Sequence, residues 1–221
     1  MIEVIDSYVF RSASIQNYKV PSSVKEIKED SFFLSNLRSI EFEENSKLEF
    51  IDGGSFSNTH LNEIIIPSKT YLDQTWLSGA NNLFKISVSP KNNRIKCIEN
   101  SMILTKSNPT IEKYDVLYSV RNNIEHLKIP SYIKYIASNC FGFNKNFKTI
   151  EFSDDSELQF IGKSAFAFSS LEKITIPAHV KHIKKIFQDC KPLNVNLVSN
   201  SKVYNLEKVI LVAPVYLFMK I

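Results

Sequence analysis

The segments SELQFIGKSAFAFSSLEKITIP (residues 156–177) and SKLEFIDGGSFSNTHLNEIIIP (residues 46–67) lie over each other without a gap, although their starts are 110 residues apart. Ser, Leu, Phe, Ile, Phe, Leu, Ile, Ile and Pro stay in register. A likeness across that distance is not a local effect. It means a chain assembled from copies of one unit.

Working outward from this pair, the recurring core is L-x-x-I-x-[IFV], often followed by Pro. It occurs as Leu37-Ile40-Phe42, Leu61-Ile64-Ile66, Leu83-Ile86-Val88, Phe147-Ile150-Phe152 and Leu171-Ile174-Ile176. Looser copies are Ile15-Tyr18-Val20 and Ile124-Leu127-Ile129, with a contracted one at Leu193-Val195-Leu197. The last residues of successive cores stand 22, 24, 22, 41, 23, 24 and 21 apart. The filling between cores is regular too. Val24, Ile27, Phe32 and Leu37 follow Val20, while Leu48, Ile51, Phe56 and Leu61 follow Phe42 after an ENSK bend.

In I-x-I the two apolar side chains fall on one face of a short strand, because side chains alternate along a strand. The other apolar residues must return to the same interior. One such unit cannot bury them alone, so neighbours stack into a continuous core. A period of 20–29 residues around this core is the mark of a leucine-rich-repeat solenoid. The expected fold is therefore β-rich with little helix, of the α/β leucine-rich-repeat class, with a parallel concave sheet of short strands. A proline just after the strand cannot donate to the ladder and marks where pairing ends.

The 41-residue step locates an insertion over 90–123. Within it, SMILT (101–105), KSNP (106–109) and TIEKYDVLYSV (110–120) read as strand, turn and strand, an inserted β-hairpin. The whole chain, 1–221, reads as a single domain of about eight repeats. It begins inside a repeat, since Ile2, Ile5, Phe10, Ile15, Tyr18 and Val20 match the spacing of Val24, Ile27, Phe32, Leu37, Ile40 and Phe42. Residues 198–221 read as a degenerate C-terminal repeat whose polar positions have become apolar. Terminal repeats need a polar outer face. This tail is thus expected to fold back as a cap, the alternative being a homodimer in which a second copy covers it.

Composition narrows the function. At 43% hydrophobic and 23% charged, the chain is built to bury a core. Its formal charge of +4 is spread through interleaved Lys and Glu rather than gathered into a basic stripe, so no nucleic-acid partner is expected. The longest uncharged apolar run, VILVAPVYLFM (209–219), is too short to span a bilayer, and no membrane insertion is expected. Cys97, Cys140 and Cys190 are odd in number and lack a C-x-x-C pair, which argues against a disulfide framework or a zinc site. Cys140 and Cys190 sit near apolar repeat positions and read as small hydrophobes. His179 and His182 flank the inward Val180 and Ile183 and should face solvent, not a metal. DGGSF (52–56) is a corner between turns, since a phosphate loop would need a following helix. No catalytic motif is present, so no enzymatic activity and no cofactor are expected.

The stretches IPSYIKYI (129–136), SKLEFI (46–51), SELQFIGKSAF (156–166) and NNRIKCIENSMILTK (92–106) together resemble the BspA-like leucine-rich repeats. That family occurs in surface and secreted proteins of mucosal bacteria and protozoan parasites, and the resemblance covers about residues 2–197. It implies a non-enzymatic module for protein–protein interaction, acting in microbial surface adhesion or host-protein binding, with an extracellular-matrix or host surface protein as ligand. The alternative is an intracellular leucine-rich-repeat scaffold without host contact. The compartment stays open, because the resemblance implies surface or secretion while the N-terminal residues show no signal peptide and no anchor is evident. The binding face expected is the outward pleat of the concave sheet. Its candidate contacts are Lys19, Glu41, Glu63, Ile65, Lys85, His126, Lys128, Glu151, Lys173 and Thr175, with the 97–118 hairpin as a specificity loop.

Overall fold

Four-residue strands whose second and fourth side chains turn inward form the wall of the molecule, as seen in a computed structural model. The structure describes residues 1–183, 185–190 and 193–197, with backbone alone for His182 and for 215–219. Among the described residues there are only strands and turns, with no helix. The chain divides into two compact units. The first is Met1–Leu104 with Arg121–Asn123, and the second is Thr105–Val120 with Ile124–Ile221.

In the first unit the strands are β1 (Val4–Ile5), β2 (Asn17–Val20), β3 (Glu26–Ile27), β4 (Ser39–Phe42), β5 (Phe50–Ile51), β6 (Glu63–Ile66), β7 (Tyr71–Leu72), β8 (Lys85–Val88), β9 (Lys96–Ile98) and β10 (Met102–Thr105). The wall strands pair in parallel, β2 with β4 and β6 with β8, in register from Asn17↔Ser39 to Val20↔Phe42 and from Glu63↔Lys85 to Ile66↔Val88. The two-residue strands β1, β3, β5 and β7 stack as a second parallel sheet.

The second unit repeats this plan. Its strands are β11 (Val116–Val120), β12 (His126–Ile129), β13 (Tyr135–Ile136), β14 (Thr149–Phe152), β15 (Phe160–Ile161), β16 (Lys173–Ile176), β17 (His182–Ile183), β18 (Leu193–Leu197) and β19 (Val215–Met219). The wall runs β12-β14-β16-β18-β19, all parallel, and β11, β13, β15 and β17 stack in parallel as the second sheet. Strand β19 pairs with β18 from Leu193↔Val215 to Leu197↔Met219, so the backbone there continues the wall by one strand. Residues 198–214 and 220–221, which the expected cap also includes, lie outside the described residues, as does any homodimer contact through them.

The interior of each unit is built from the inward repeat positions. Ile64, Ile66, Leu61 and Leu83 are buried in the first unit, and Ile174, Ile176, Leu171 and Leu158 in the second. Each such side chain contributes about 1.5–3 kcal/mol by leaving water. Along the turns runs a spine of rings. Phe10, Phe32 and Phe56 stack at centroid separations of 4.9 and 5.4 Å, and Trp76 meets Phe56 edge-on at 6.2 Å. In the second unit Phe141, Phe166 and Phe187 stack at 4.9 and 5.7 Å.

The turns opposite the wall carry a backbone feature with few glycines to support it. Left-handed residues occur in pairs four apart: Tyr8 and Ser12, Asp30 and Leu34, Gly54 and Asn58, Asn139 and Phe143, Ser164 and Phe168, Lys185 and Asp189. Bulky residues rarely accept positive φ. Here it is enforced by bonds to the next turn. Asp30, Phe32 and Leu34 donate their N–H groups to the carbonyls of Gly53, Ser55 and Ser57 at 3.0–3.1 Å, and Asn139, Phe141 and Phe143 do the same to Lys163, Ala165 and Ala167. Each turn is thus held in its unusual shape by the following one.

The insertion differs from the sequence expectation in detail. The expected strands at 101–105 and 110–120 are β10 and β11, neighbours in one sheet, and a further antiparallel hairpin precedes them, its arms β9 and β10, with Met102↔Ile98 and Leu104↔Lys96 in register. Glu99 and Asn100, both at φ 51°, form its turn, closed by Ser101 N–H donating to Ile98 O at 3.1 Å. Two left-handed residues match the twist of the flanking strands, and Glu-Asn achieves this without the glycine that usually advertises such a turn. The expected arm at 110–120 is strand only at Val116–Val120. The loop before it is pinned by Asp115, whose buried carboxylate accepts from Ser107 N–H at 2.8 Å and Ser107 Oγ at 2.7 Å.

Candidate functional site

Alternation that turns Ile40, Ile64, Ile150 and Ile174 inward necessarily turns their neighbours outward. The first and third residues of each four-residue wall strand, and the second and fourth of β18, therefore form two columns of side chains on the outer face. In the first unit the columns are Asn17, Ser39, Glu63, Lys85 and Lys19, Glu41, Ile65, Ser87. In the second they run His126, Thr149, Lys173, Asn194 and Lys128, Glu151, Thr175, Asn196. All ten residues expected at the binding face are in these columns. Lys85 is half-buried and the other nine are exposed.

Register turns the columns into rungs. Ser39 Oγ donates to Asn17 Oδ1 at 2.6 Å, and Lys85 Nζ stands 3.5 Å from Glu63 Oε2. His126 Nδ1 lies 2.7 Å from Thr149 Oγ1, and Asn196 Nδ2 donates to Thr175 Oγ1 at 3.4 Å. Lys19 faces Glu41 and Lys128 faces Glu151 at paired positions. Opposite charges on facing residues favour this register by a few tenths to about 1 kcal/mol a pair.

The structure gathers some of these residues into grooves and leaves others apart. In the first unit, Glu41, Glu63 and Ile65 line an open groove of about 820 Å³ with Ser39, Glu43, Glu44, Pro67 and Lys91. In the second, Glu151, Lys173 and Thr175 line one of about 430 Å³ with Thr149 and Phe152. Lys19, Lys85, His126 and Lys128 line neither groove. The rim residues Glu43, Glu44, Pro67, Pro90 and Lys91 were missed by the sequence reading. Their signal was the EENSK bend and the prolines that follow some of the strands, read there as structural punctuation.

Chemistry elsewhere is sparse. His179 is exposed, and the side chain of His182 lies outside the described residues. Among the described residues no group of three His, Cys, Asp or Glu is placed to hold a metal ion. Likewise no helix among them is long and apolar enough to cross a membrane. The three cysteines are free. Burial pushes the Cys140 thiol well above its usual range, and it pushes Cys97 up to about 11 against small opposing effects of Ser101 and Arg121. Such thiols are poor nucleophiles.

The fold is shared with solved proteins. A pneumococcal vaccine antigen, PcpA, matches with TM-score 0.70 at 17% identity, covering 100% of this chain, which spans 66% of that one. A leucine-rich repeat protein from Eubacterium ventriosum matches with TM-score 0.57 at 16% identity over 87% of this chain and 72% of its own. No curated protein matches by sequence. The model of the BspA type leucine rich repeat region matches residues 3–113 and 96–194, in six copies. The chain belongs to that family.

Proposed function

We propose that the outer faces of the strand walls are docking surfaces for protein and that the chain is a non-enzymatic interaction module. The observation that supports this most is the ladder itself. Its inward members mostly pack into the core, while most outward members are exposed, several are joined into rungs and some gather around grooves. Stacked repeats present such surfaces at no cost to their interior. In its finer form the reading is adhesion. The ligand is a host surface or matrix protein, met by charge and shape complementarity along the wall. Binding of the purified chain to a panel of matrix proteins tests this, with Glu41, Glu63, Lys128 and Lys173 reversed in charge. Loss of binding on reversal is expected. Undiminished binding would show that the wall is not the contact.

One observation favours a second reading, an intracellular scaffold. Cys97, Cys140 and Cys190 are all free, as is usual in a reducing compartment. Antibody staining of intact and permeabilised cells separates the two, since labelling only after permeabilisation excludes surface adhesion.

A further inference from the structure

We infer that the groove of the first unit takes an extended, Lys/Arg-rich polypeptide segment that seats an aliphatic side chain on Ile65. This rests on the wall being a docking surface and adds the chemistry of the occupant. The lining carries four carboxylates, those of Glu41, Glu43, Glu44 and Glu63, against the single ammonium of Lys91. Two of the four have partners already: Glu63 stands near Lys85 at 3.5 Å, and Glu43 Oε2 accepts the Ser22 N–H at 2.9 Å. Glu41 and Glu44 are exposed, with Lys19 at the position paired to Glu41. The chain as a whole is cationic at +4, so the negative field here is a local feature and not an overflow of general acidity. Clefts lined by one sign of charge concentrate ligands of the other.

Ile65 supplies the apolar half of the recognition. It is 58% exposed between Ile64 and Ile66, which are buried. A single exposed isoleucine needs no explanation on its own. On the floor of a groove rimmed by carboxylates it is a contact point that a basic segment with one aliphatic residue satisfies and a uniformly charged one does not. The backbone adds a third element. No ladder pair joins β4 to β6, and they are linked at their start by Asn62 N–H donating to Arg38 O at 3.2 Å. Both strands beside that seam contribute to the lining of the groove. An extended chain is the ligand shape that uses main-chain bonds together with alternate side-chain contacts.

Fluorescence anisotropy of the full chain with a labelled short peptide of Lys, Arg and Gly carrying one central Leu tests the proposal. Ile65→Thr installs the residue type that Thr175 already provides at the matching place in the second unit, so it perturbs only the outer face. Binding is expected to weaken about tenfold in Ile65→Thr. It should weaken further in Glu41→Lys/Glu44→Lys and fall with added salt. Equal affinity in both variants, or equal affinity for a peptide with Glu in place of Lys and Arg, would overturn it. If the peptide fails to bind while reversal of wall charges still abolishes capture by a matrix protein, the proposed occupant is wrong and the docking wall stands. If neither binds, both readings fall.

Discussion

Strands β4 and β14 read SIEF and TIEF, and β6 and β16 read EIII and KITI. Between these copies, 110 residues apart, every inward residue is the same. Among the outward ones, Glu63 is replaced by Lys173 and Ile65 by Thr175, while Ser39 becomes the similar Thr149. The grooves differ accordingly. The first is acidic with an apolar floor, whereas the second balances Glu151 against Lys173 and has Thr149 and Thr175 as its other outward residues. The seam follows the same line, since β14 and β16 keep the pair Thr149↔Lys173 and β4 and β6 keep none. The lesson is a division of labour. Inward positions are fixed by packing, and outward positions are free to be chosen for a partner.

The largest test of that division removes a ring from each spine. Phe56→Ala in the first unit and Phe166→Ala in the second should each cost about 3–5 kcal/mol in urea unfolding, because both side chains are fully buried between ring neighbours. A much smaller loss in one unit would mean the copies are not packed alike. The next test sharpens a difference. At matched positions the first unit has Asp52, whose carboxylate caps Gly53 N–H at 2.7 Å, and the second has Gly162. A Cβ on Gly162 would lie 2.4 Å from Ser138 N and 2.7 Å from Ala137 C, both backbone. Gly162→Ala should therefore cost about 1–3 kcal/mol. Asp52→Ala should cost about 1 kcal/mol, the worth of one hydrogen bond.

Smaller effects follow from the left-handed turns. Leu34 and Phe143 hold equivalent places at φ 58° and 61°. Leu34→Gly should raise stability by about 0.5–1 kcal/mol, relief of strain outweighing the entropy of glycine. Phe143→Gly should gain less, because it also gives up the ring stack with Phe168 at 4.9 Å. Last comes Cys97 in the insertion, whose contribution changes only at alkaline pH. Its folded-state thiol is raised from the usual 9.0 to about 11, so the unfolded chain loses this proton first. Stability from this group is complete below about pH 9 and is lost as pH rises to about 11. Cys97→Ala should flatten that part of the stability profile.

Sequence alone revealed the wall because L-x-x-I-x-I writes both the strand and its buried face into one short pattern. Two-residue strands such as Val4–Ile5 and Tyr135–Ile136 are too brief to show any alternation, and the second sheet went unread for that reason. The left-handed turns were hidden because Leu34, Phe143 and Phe168 are residues that positive φ normally disfavours, and the next turn's backbone imposes it. The hairpin turn escaped in the same way, with Glu99-Asn100 standing where Asn-Gly would have announced it. For the proposed binding face, alternation gave the outward columns. It could not give the grooves, which depend on how the bends after β4 and β6 rise beside the wall.

The most direct measurement exchanges the outward residues alone. Glu63→Lys/Ile65→Thr gives β6 the outward residues of β16 while leaving every inward residue in place. Unfolding in urea and titration with the basic peptide are then followed on the same preparation. An unchanged midpoint with peptide binding lost is the expected result; a collapsed midpoint, or binding as strong as before, would contradict the division of labour between the two faces.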